Sequence, residues 1–213
     1  MTGAELVDEL GRRVEDESDV NFDVPHKLQA LNNGVKTLTT LLHNYYLTTL
    51  KRVANDKTLA VSSSTGFATQ DFSTLFGGIA TFPVREGITR VYDNTNKRYA
   101  QIVPESDFMP SSTYSYGTIC CLEGNQLAVA PSTVTSVDVH YLTPPTAIAD
   151  NGTASEWYNG LENIILDLAE SEIFYADNRP NRAGIAYQRG INMIQSLNER
   201  LLMKIWVKLL KYH

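Results

Sequence analysis

A three-four alternation of apolar residues runs through the first quarter of the chain: Leu28, Leu31, Val35, Leu38, Leu42, Tyr45, Thr49 and Val53. That spacing lays the side chains along one helical face, so residues 23–54 are expected to form one continuous helix. Asp23 suits its N-cap, and Pro25 suits a first turn in which the missing N–H has no partner to lose. At about 1.5 Å per residue such a helix measures roughly 45 Å. A seam of that length needs other helices of this chain, a neighbouring copy, or both.

The flanking segments supply candidates. Leu6, Val7, Leu10 and Val14 form a narrow stripe over residues 4–17, and Phe22 stands where it can staple the entry of the long helix. From residue 58 to 142 the helical period disappears. Short runs rich in Val, Ile, Thr and Tyr alternate with Gly, Pro, Asn and Ser, which predicts strands at 58–61, 79–83, 88–92, 98–103, 117–122, 126–130 and 134–142. Glu123-Gly124-Asn125 and Asp93-Asn94-Thr95-Asn96 read as hairpin turns, and 62–76 and 104–115 as long loops. Thr153-Ala154-Ser155-Glu156 fits a capping box opening a helix over 155–177, with Leu161, Ile164, Leu168 and Tyr175 on its stripe. Asn178-Arg179-Pro180-Asn181 breaks it. A last helix follows from 181, with Ile185, Ile191, Ile194, Leu197 and Leu201 inward.

The expected fold class is therefore α+β: a helical bundle of about four helices, an N-terminal pair plus a C-terminal pair, with an inserted antiparallel β domain. The expected division is 1–56 and 146–200 for the helical domain, 57–145 for the β domain, and 201–213 for a C-terminal arm. In that arm Leu201, Leu202, Ile205, Trp206, Leu209 and Leu210 share one face, and Lys204, Lys208 and Lys211 the other. Terminal segments are usually polar and frayed, so an apolar one is expected to dock, on this protein's own core or in a groove of another subunit. A membrane-surface role for the arm is weakened by its having three lysines and no wider basic patch.

Charge is divided along the chain. Residues 1–23 hold eight acids against Arg12 and Arg13, whereas Arg179, Arg182, Arg189, Arg200, Lys204, Lys208 and Lys211 face Glu199 alone in residues 179–213. The two segments could meet within one chain or between copies. The net charge of −6 argues against a protein that grips nucleic acid.

Chemistry-bearing patterns are scarce. Cys120 and Cys121 are adjacent, so on a strand they point to opposite faces and cannot readily share a metal. Zinc needs about four ligands, and His26, His43, His140 and His213 are scattered. There is no phosphate loop, dinucleotide fingerprint, Gly-x-Ser-x-Gly or His-Glu-x-x-His. Glu170 and Glu172 cannot face the same way on a helix. The expectation is a non-enzyme with no catalytic, cofactor or metal site. No apolar run approaches the ~18 residues that span a bilayer, and the start of the chain lacks a signal peptide's basic and apolar regions. Synthesis inside the cell is expected, which makes Asn151-Gly152-Thr153 a turn rather than a glycan acceptor.

Three local signatures, in this order of elements, resemble the head-to-tail adaptor proteins of tailed bacteriophages, the tail tubular protein A type among them. Leu28-Gln29-Ala30-Leu31-Asn32 is similar to the Leu-x-x-Leu-Asn run that opens the long helix of such adaptors. Val91-Tyr92-Asp93-Asn94-Thr95 resembles the Tyr-Asp-x-Thr hairpin of the tubular type. Val139-His140-Tyr141-Leu142 with Pro144-Pro145 leads to a helix pair broken at Asn178-Arg179-Pro180. The resemblance spans nearly the whole chain, and the apolar C-terminus is similar to that of adaptors whose arm grips the portal.

The resemblance implies a homo-oligomeric ring, typically twelvefold, in the virion neck, joining the portal protein to the tail nozzle or tail tube protein. DNA would pass through its channel without sequence-specific binding, and no membrane would be involved. The portal-binding arm would be 201–213, and the ring interface would draw on Leu28, Leu31, Val35, Leu38, Leu42, Arg179 and Arg182. The competing expectations are another phage head-completion or minor tail protein and, from a different class, a cytoplasmic enzyme with an unrecognised site.

Overall fold

The computed structural model describes residues 1–43, 45–61, 66–76, 87–108, 117–157 and 159–210. The chain divides into two compact units, Met1–Thr49 with Pro145–His213, and Leu50–Pro144.

The helical unit is organised around α4 (Asn159–Ala176). Leu161, Ile164, Ile165, Leu166, Leu168, Ala169, Ile173 and Phe174 are all buried, so the helix is apolar around most of its circumference and has neighbours on several sides. These neighbours are α1 (Gly3–Arg13), α2 (Val24–Leu41) and α5 (Pro180–Leu210). Gly34 lets α2 come close, because a Cβ there would stand 2.9 Å from the Ile165 carbonyl oxygen. On α5 the inward face is built of small residues, Ala183, Ala186 and Gly190, before Ile194 and Leu201. Ile185, expected inward, is 67% exposed, and Tyr175, expected on the α4 stripe, is 76% exposed.

The expected helix over 23–54 is shorter. Asp23 caps it, accepting the His26 N–H at 3.1 Å. It stops at Leu41, and Leu42 turns to an extended backbone. The cause is tertiary: the Asn198 side-chain amide donates to the Leu41 carbonyl and accepts the His43 N–H, closing the helix end from α5. Thr39 and Thr40 also spend their hydroxyls on carbonyls of the preceding turn, an interaction that weakens helix continuation. Val53, the last member of the supposed seam, is an exposed residue of a strand. The capping box lies at Thr2 and Glu5 on α1, not at Thr153. Glu156 instead accepts the Thr146 N–H, and α4 begins at Asn159.

The second unit holds β1 (Lys51–Thr58), β2 (Ala60–Val61), β3 (Ala68–Asp71), β4 (Ile88–Asp93), β5 (Arg98–Ile102), β6 (Ile119–Glu123), β7 (Gln126–Ala130), β8 (Ser136–Leu142) and the single turn α3 (Phe72–Leu75). The strands form one eight-stranded sheet in the order β1-β8-β4-β5-β6-β7-β3-β2. Its two outer strands, β1 and β2, are separated in sequence by Leu59, so a single extended stretch provides both edges and the sheet curls back toward itself. Inside lie Leu59, Ala68, Phe72, Leu75, Val91, Cys120, Leu127, Val129, Val137 and Val139. Gly124, with φ at +56°, makes the tight β6–β7 turn.

The bundle of about four helices with an antiparallel insert is thus corrected. Among the described residues there are five helices, and the sheet is mixed because β5 and β6 run parallel. The connection between those two strands is long enough for a crossover, whereas the expected insert was antiparallel throughout. Residues 51–54 and 68–71, expected as helix end and loop, lie in strands whose partners are distant in sequence. The strand expected at 79–83 lies outside the described residues. Only the α+β class itself stands.

Candidate interaction surface

The bend between α4 and α5 follows from three residues. Asn178 adopts φ of +55°, Arg179 donates its N–H to the Phe174 carbonyl, and Pro180 opens α5. The two antiparallel helices are unequal: α4 has 18 residues and α5 has 31. The excess of α5 is about 20 Å of helix. Tyr46 donates its hydroxyl to the Leu197 carbonyl and Asn198 caps α2, so the first part of the excess remains attached to the unit. Leu201, at 6% exposed, is the last buried residue described on α5. Past it, Leu202 and Met203 are exposed, and so is Lys204.

The arm is therefore a direct continuation of α5 to Leu210. Of Ile205, Trp206, Lys208, Leu209 and Leu210 the backbone is helical, and their side chains, like all of Lys211, lie outside what is described. The residues assigned to a ring interface are placed otherwise. Leu31, Val35, Leu38 and Leu42 are buried in their own unit, and Leu28 is half-buried. Arg179 pairs with Asp177 at 2.6 Å, and Arg182 pairs with Glu15 at 3.3 Å while lying over the Phe174 ring.

Charge in this unit is partly consumed internally. Asp167 accepts from both Arg13 and Arg189 at 2.8 Å, and Glu170 accepts from Arg189 at 2.6 Å, which ties α1, α4 and α5 together. Burial pushes the Glu170 carboxyl up, and the opposing charges of Arg189 and Arg13 only partly offset it. Lys27, 1% exposed, donates to the Asp16 carbonyl and to Asp19 Oδ1, each at 2.5 Å. Asp16 in turn accepts the N–H groups of Val20, Asn21 and Phe22. Burial disfavours its charge, but those N–H groups and the Lys27 ammonium outweigh burial and hold the carboxyl below its usual range. The segment between α1 and α2 is thereby fixed, with Val20 77% exposed at its surface.

A shallow hollow of about 270 Å³ lies beside that segment, lined by Asp8, Glu17, Asp19, Val7, Arg12 and Lys27 among others. Arg12 is turned to Glu9 at 2.9 Å. Asp8 and Glu17 are exposed and have no salt bridge among the described residues. The same holds for Arg200 and Lys204 on α5. Glu15–Arg182 is, among the described residues, the salt bridge that directly joins the acidic and basic segments. The sequence shows the charge split, but not which members are already paired.

Reactive groups are placed as structural residues. Cys120 and Cys121 are fully buried, and burial pushes the Cys120 thiol up to about 12. His26 pairs with Asp23 at its helix cap, and His43 accepts the Tyr45 N–H; His213 lies outside the described residues. Among the described residues no group of three or more His, Cys, Asp or Glu could hold a metal ion, and no helix is long and apolar enough to cross a membrane. No protein-family model matches the chain, and no curated protein matches it by sequence.

Proposed function

We propose that this chain is a structural virion protein, a head-to-tail adaptor of a tailed bacteriophage. In this reading it forms a ring between the portal and the tail nozzle or tail tube, and α5 carries the portal-binding arm. The observation that supports it best is the excess of α5 over α4, which carries the exposed Leu202 and Met203 away from the last buried contact at Leu201. A helix that continues past its own core with apolar residues exposed suits insertion into a groove of another protein. The net charge of −6 suits a channel that lets DNA slide, since holding DNA requires neutralising its phosphates.

The ring interface of this proposal excludes the α2 seam, because Leu31, Val35, Leu38 and Leu42 already fill the core. Native mass spectrometry of the chain mixed with the portal ring of the same phage tests the assignment. A multi-copy complex is expected, and a chain ending at Leu201 should lose it while keeping its helical circular dichroism. A full-length chain that stays unbound to the portal would overturn the adaptor reading.

A further inference from the structure

The pair Asn-Gly occurs at 33–34, 151–152 and 159–160. It carries its own chemistry. The backbone nitrogen after an asparagine can attack the side-chain amide carbon, and glycine hinders that approach least. The fold treats the three pairs differently. Asn33 and Gly34 lie inside α2, where the Gly34 N–H belongs to the helical ladder. Gly34 is packed against the Ile165 carbonyl, and the Asn33 amide donates to Glu172 at 2.6 Å. Asn159 and Gly160 open α4, so their backbone is helical too. Ring closure requires the asparagine to leave helical ψ, so both pairs must first unwind.

Asn151 and Gly152 belong to neither helix nor strand. Both are exposed, and a Cβ added at Gly152 would meet nothing within 4 Å. The Gly152 N–H and the Asn151 side-chain NH₂ make no hydrogen bond among the described residues. The Asn151 Oδ1, by contrast, accepts the Thr153 N–H at 3.0 Å. An amide oxygen held by the N–H two residues on folds the side chain over the peptide between them, which carries its carbon toward the Gly152 nitrogen. The same N–H faces the oxygen on which charge develops when that carbon is attacked.

We infer that Asn151 is a site of spontaneous covalent modification, losing its amide by cyclisation onto Gly152 and becoming aspartate or isoaspartate. The Gly152 nitrogen gives its proton to solvent base and bonds to Cγ. The Cγ–Nδ2 bond breaks, and Nδ2 leaves with a solvent proton as ammonia. Water, the one co-reactant, then opens the imide ring. Attack at Cγ leaves aspartate on an unchanged main chain. Attack at the Asn151 main-chain carbonyl carbon leaves isoaspartate, whose main chain runs through Cβ and Cγ. No electron is transferred, and the reaction needs neither a portal nor a second copy.

The position gives the isoaspartate product a structural consequence. The Asn151 and Thr153 carbonyls accept the Ala4 and Gly3 N–H groups at 3.1 and 3.2 Å. They hold the first turn of α1, and Gly3 is so close to the Ala149 carbonyl that a Cβ there would run into it. One additional main-chain carbon changes the spacing of those two acceptors, so the modified chain holds the start of α1 less tightly.

Peptide mapping by mass spectrometry of the full chain, aged in warm, mildly alkaline buffer, tests this. The Asn151 peptide should gain the mass of an amide-to-acid exchange about tenfold or more faster than the Asn33 and Asn159 peptides, which need local unfolding first. In urea the three rates should converge to within about threefold, because unfolding removes the selection made by the fold. Gly152→Ala has room for its added carbon and should slow the reaction at Asn151 about tenfold or more, with helical circular dichroism retained. Should that variant fail to fold, the urea comparison decides without it. Chains carrying isoaspartate at 151 should exchange the Gly3 and Ala4 amide hydrogens about threefold or more faster than unmodified chains. An Asn151 that keeps its amide as the folded chain ages, or that trails Asn33 or Asn159, would overturn the inference. So would the same lead for Asn151 in urea, or a folded Gly152→Ala protein that reacts at the wild-type rate. Unchanged amide exchange at Gly3 and Ala4 would overturn the consequence for α1.

Discussion

Asp16 in the helical unit and Asp93 in the β unit solve one problem by different means. Both are buried carboxylates at chain reversals, 4% and 0% exposed. Asp16 has three backbone N–H donors and a buried cation, Lys27. Asp93 has the N–H groups of Thr95 and Asn96, the Asn96 side-chain amide and the Thr118 hydroxyl, all neutral. Arg98 enters at one remove, by donating to Thr118. In both, burial pushes the carboxyl up and the donors more than reverse it, so both titrate below the usual range. The comparison shows that a turn can hold a buried charge with neutral donors alone. At Asp16 the cation Lys27 also anchors the backbone, through the Asp16 carbonyl.

The largest test removes that cation. Lys27→Met keeps the volume but leaves Asp16 buried without its counter-charge, and Asp19 loses its partner. Breaking a buried pair from one side costs about 3–5 kcal/mol. The lower end is expected here, since the three N–H donors to Asp16 survive. Urea unfolding of the helical unit would measure the loss. A change under about 1 kcal/mol would show that the neutral donors suffice at Asp16 too, and the contrast between the two sites would vanish.

Asp93→Asn is the middle case. An amide there points an N–H₂ at the donors of Asn96 and Thr118, which should cost about 1–3 kcal/mol. The pH signature follows from the direction of the shift. A carboxyl whose folded pKa lies below its unfolded value, about 3.9, contributes stability that is full above that value. The contribution is lost as pH falls through the folded pKa. Wild-type stability should therefore drop below about pH 4, and the Asp93→Asn protein should show a shallower drop over the same range. Equal slopes in the two proteins would mean that Asp93 is not depressed in the folded state.

Much of this local chemistry is legible in the sequence, and much of the architecture is not. Asp23 before Pro25, the Gly124 turn, the Asp93–Asn96 turn and the break at Asn178–Pro180 are set by residues within a few positions of each other, and each is where the pattern puts it. The end of α2 is not local. Leu42, Tyr45, Thr49 and Val53 continue the helical spacing, but Asn198, more than a hundred residues away, closes the helix at Leu41. The pairing of β1 with β8 then takes residues 51–58 into the sheet. The helix over 155–177 is legible, but its central place in the unit is not, for the opposite reason. Apolar on most sides, α4 has a weak stripe, so the cleaner pattern of α2 looked like the organiser. At the candidate surface the charge split and the apolar arm were readable, but the internal pairing of Arg179, Arg182 and Arg189 was not, because their partners come from other elements or from the bend itself.

Glu170 gives the smallest and sharpest test, because it is a half-buried carboxylate for which burial wins. It lies beside Arg189 and Arg13, yet its pKa is raised, with Asp167 adding to the upward push. Its sign is opposite to that of Asp16 and Asp93. A carboxyl whose folded pKa exceeds its unfolded value, about 4.3, contributes most below that value and loses the contribution as pH rises through the folded pKa. Glu170→Gln should therefore be nearly neutral at pH 7, within about 0.5 kcal/mol, since the amide oxygen still accepts from Arg189 and the charge no longer has to be buried. The variant should also lose a slight decline in stability just above the usual carboxylate range. A loss above about 2 kcal/mol at pH 7 would mean that the Arg189 and Arg13 charges dominate burial there. Glu170 would then join Asp16 as a carboxylate held by its cations.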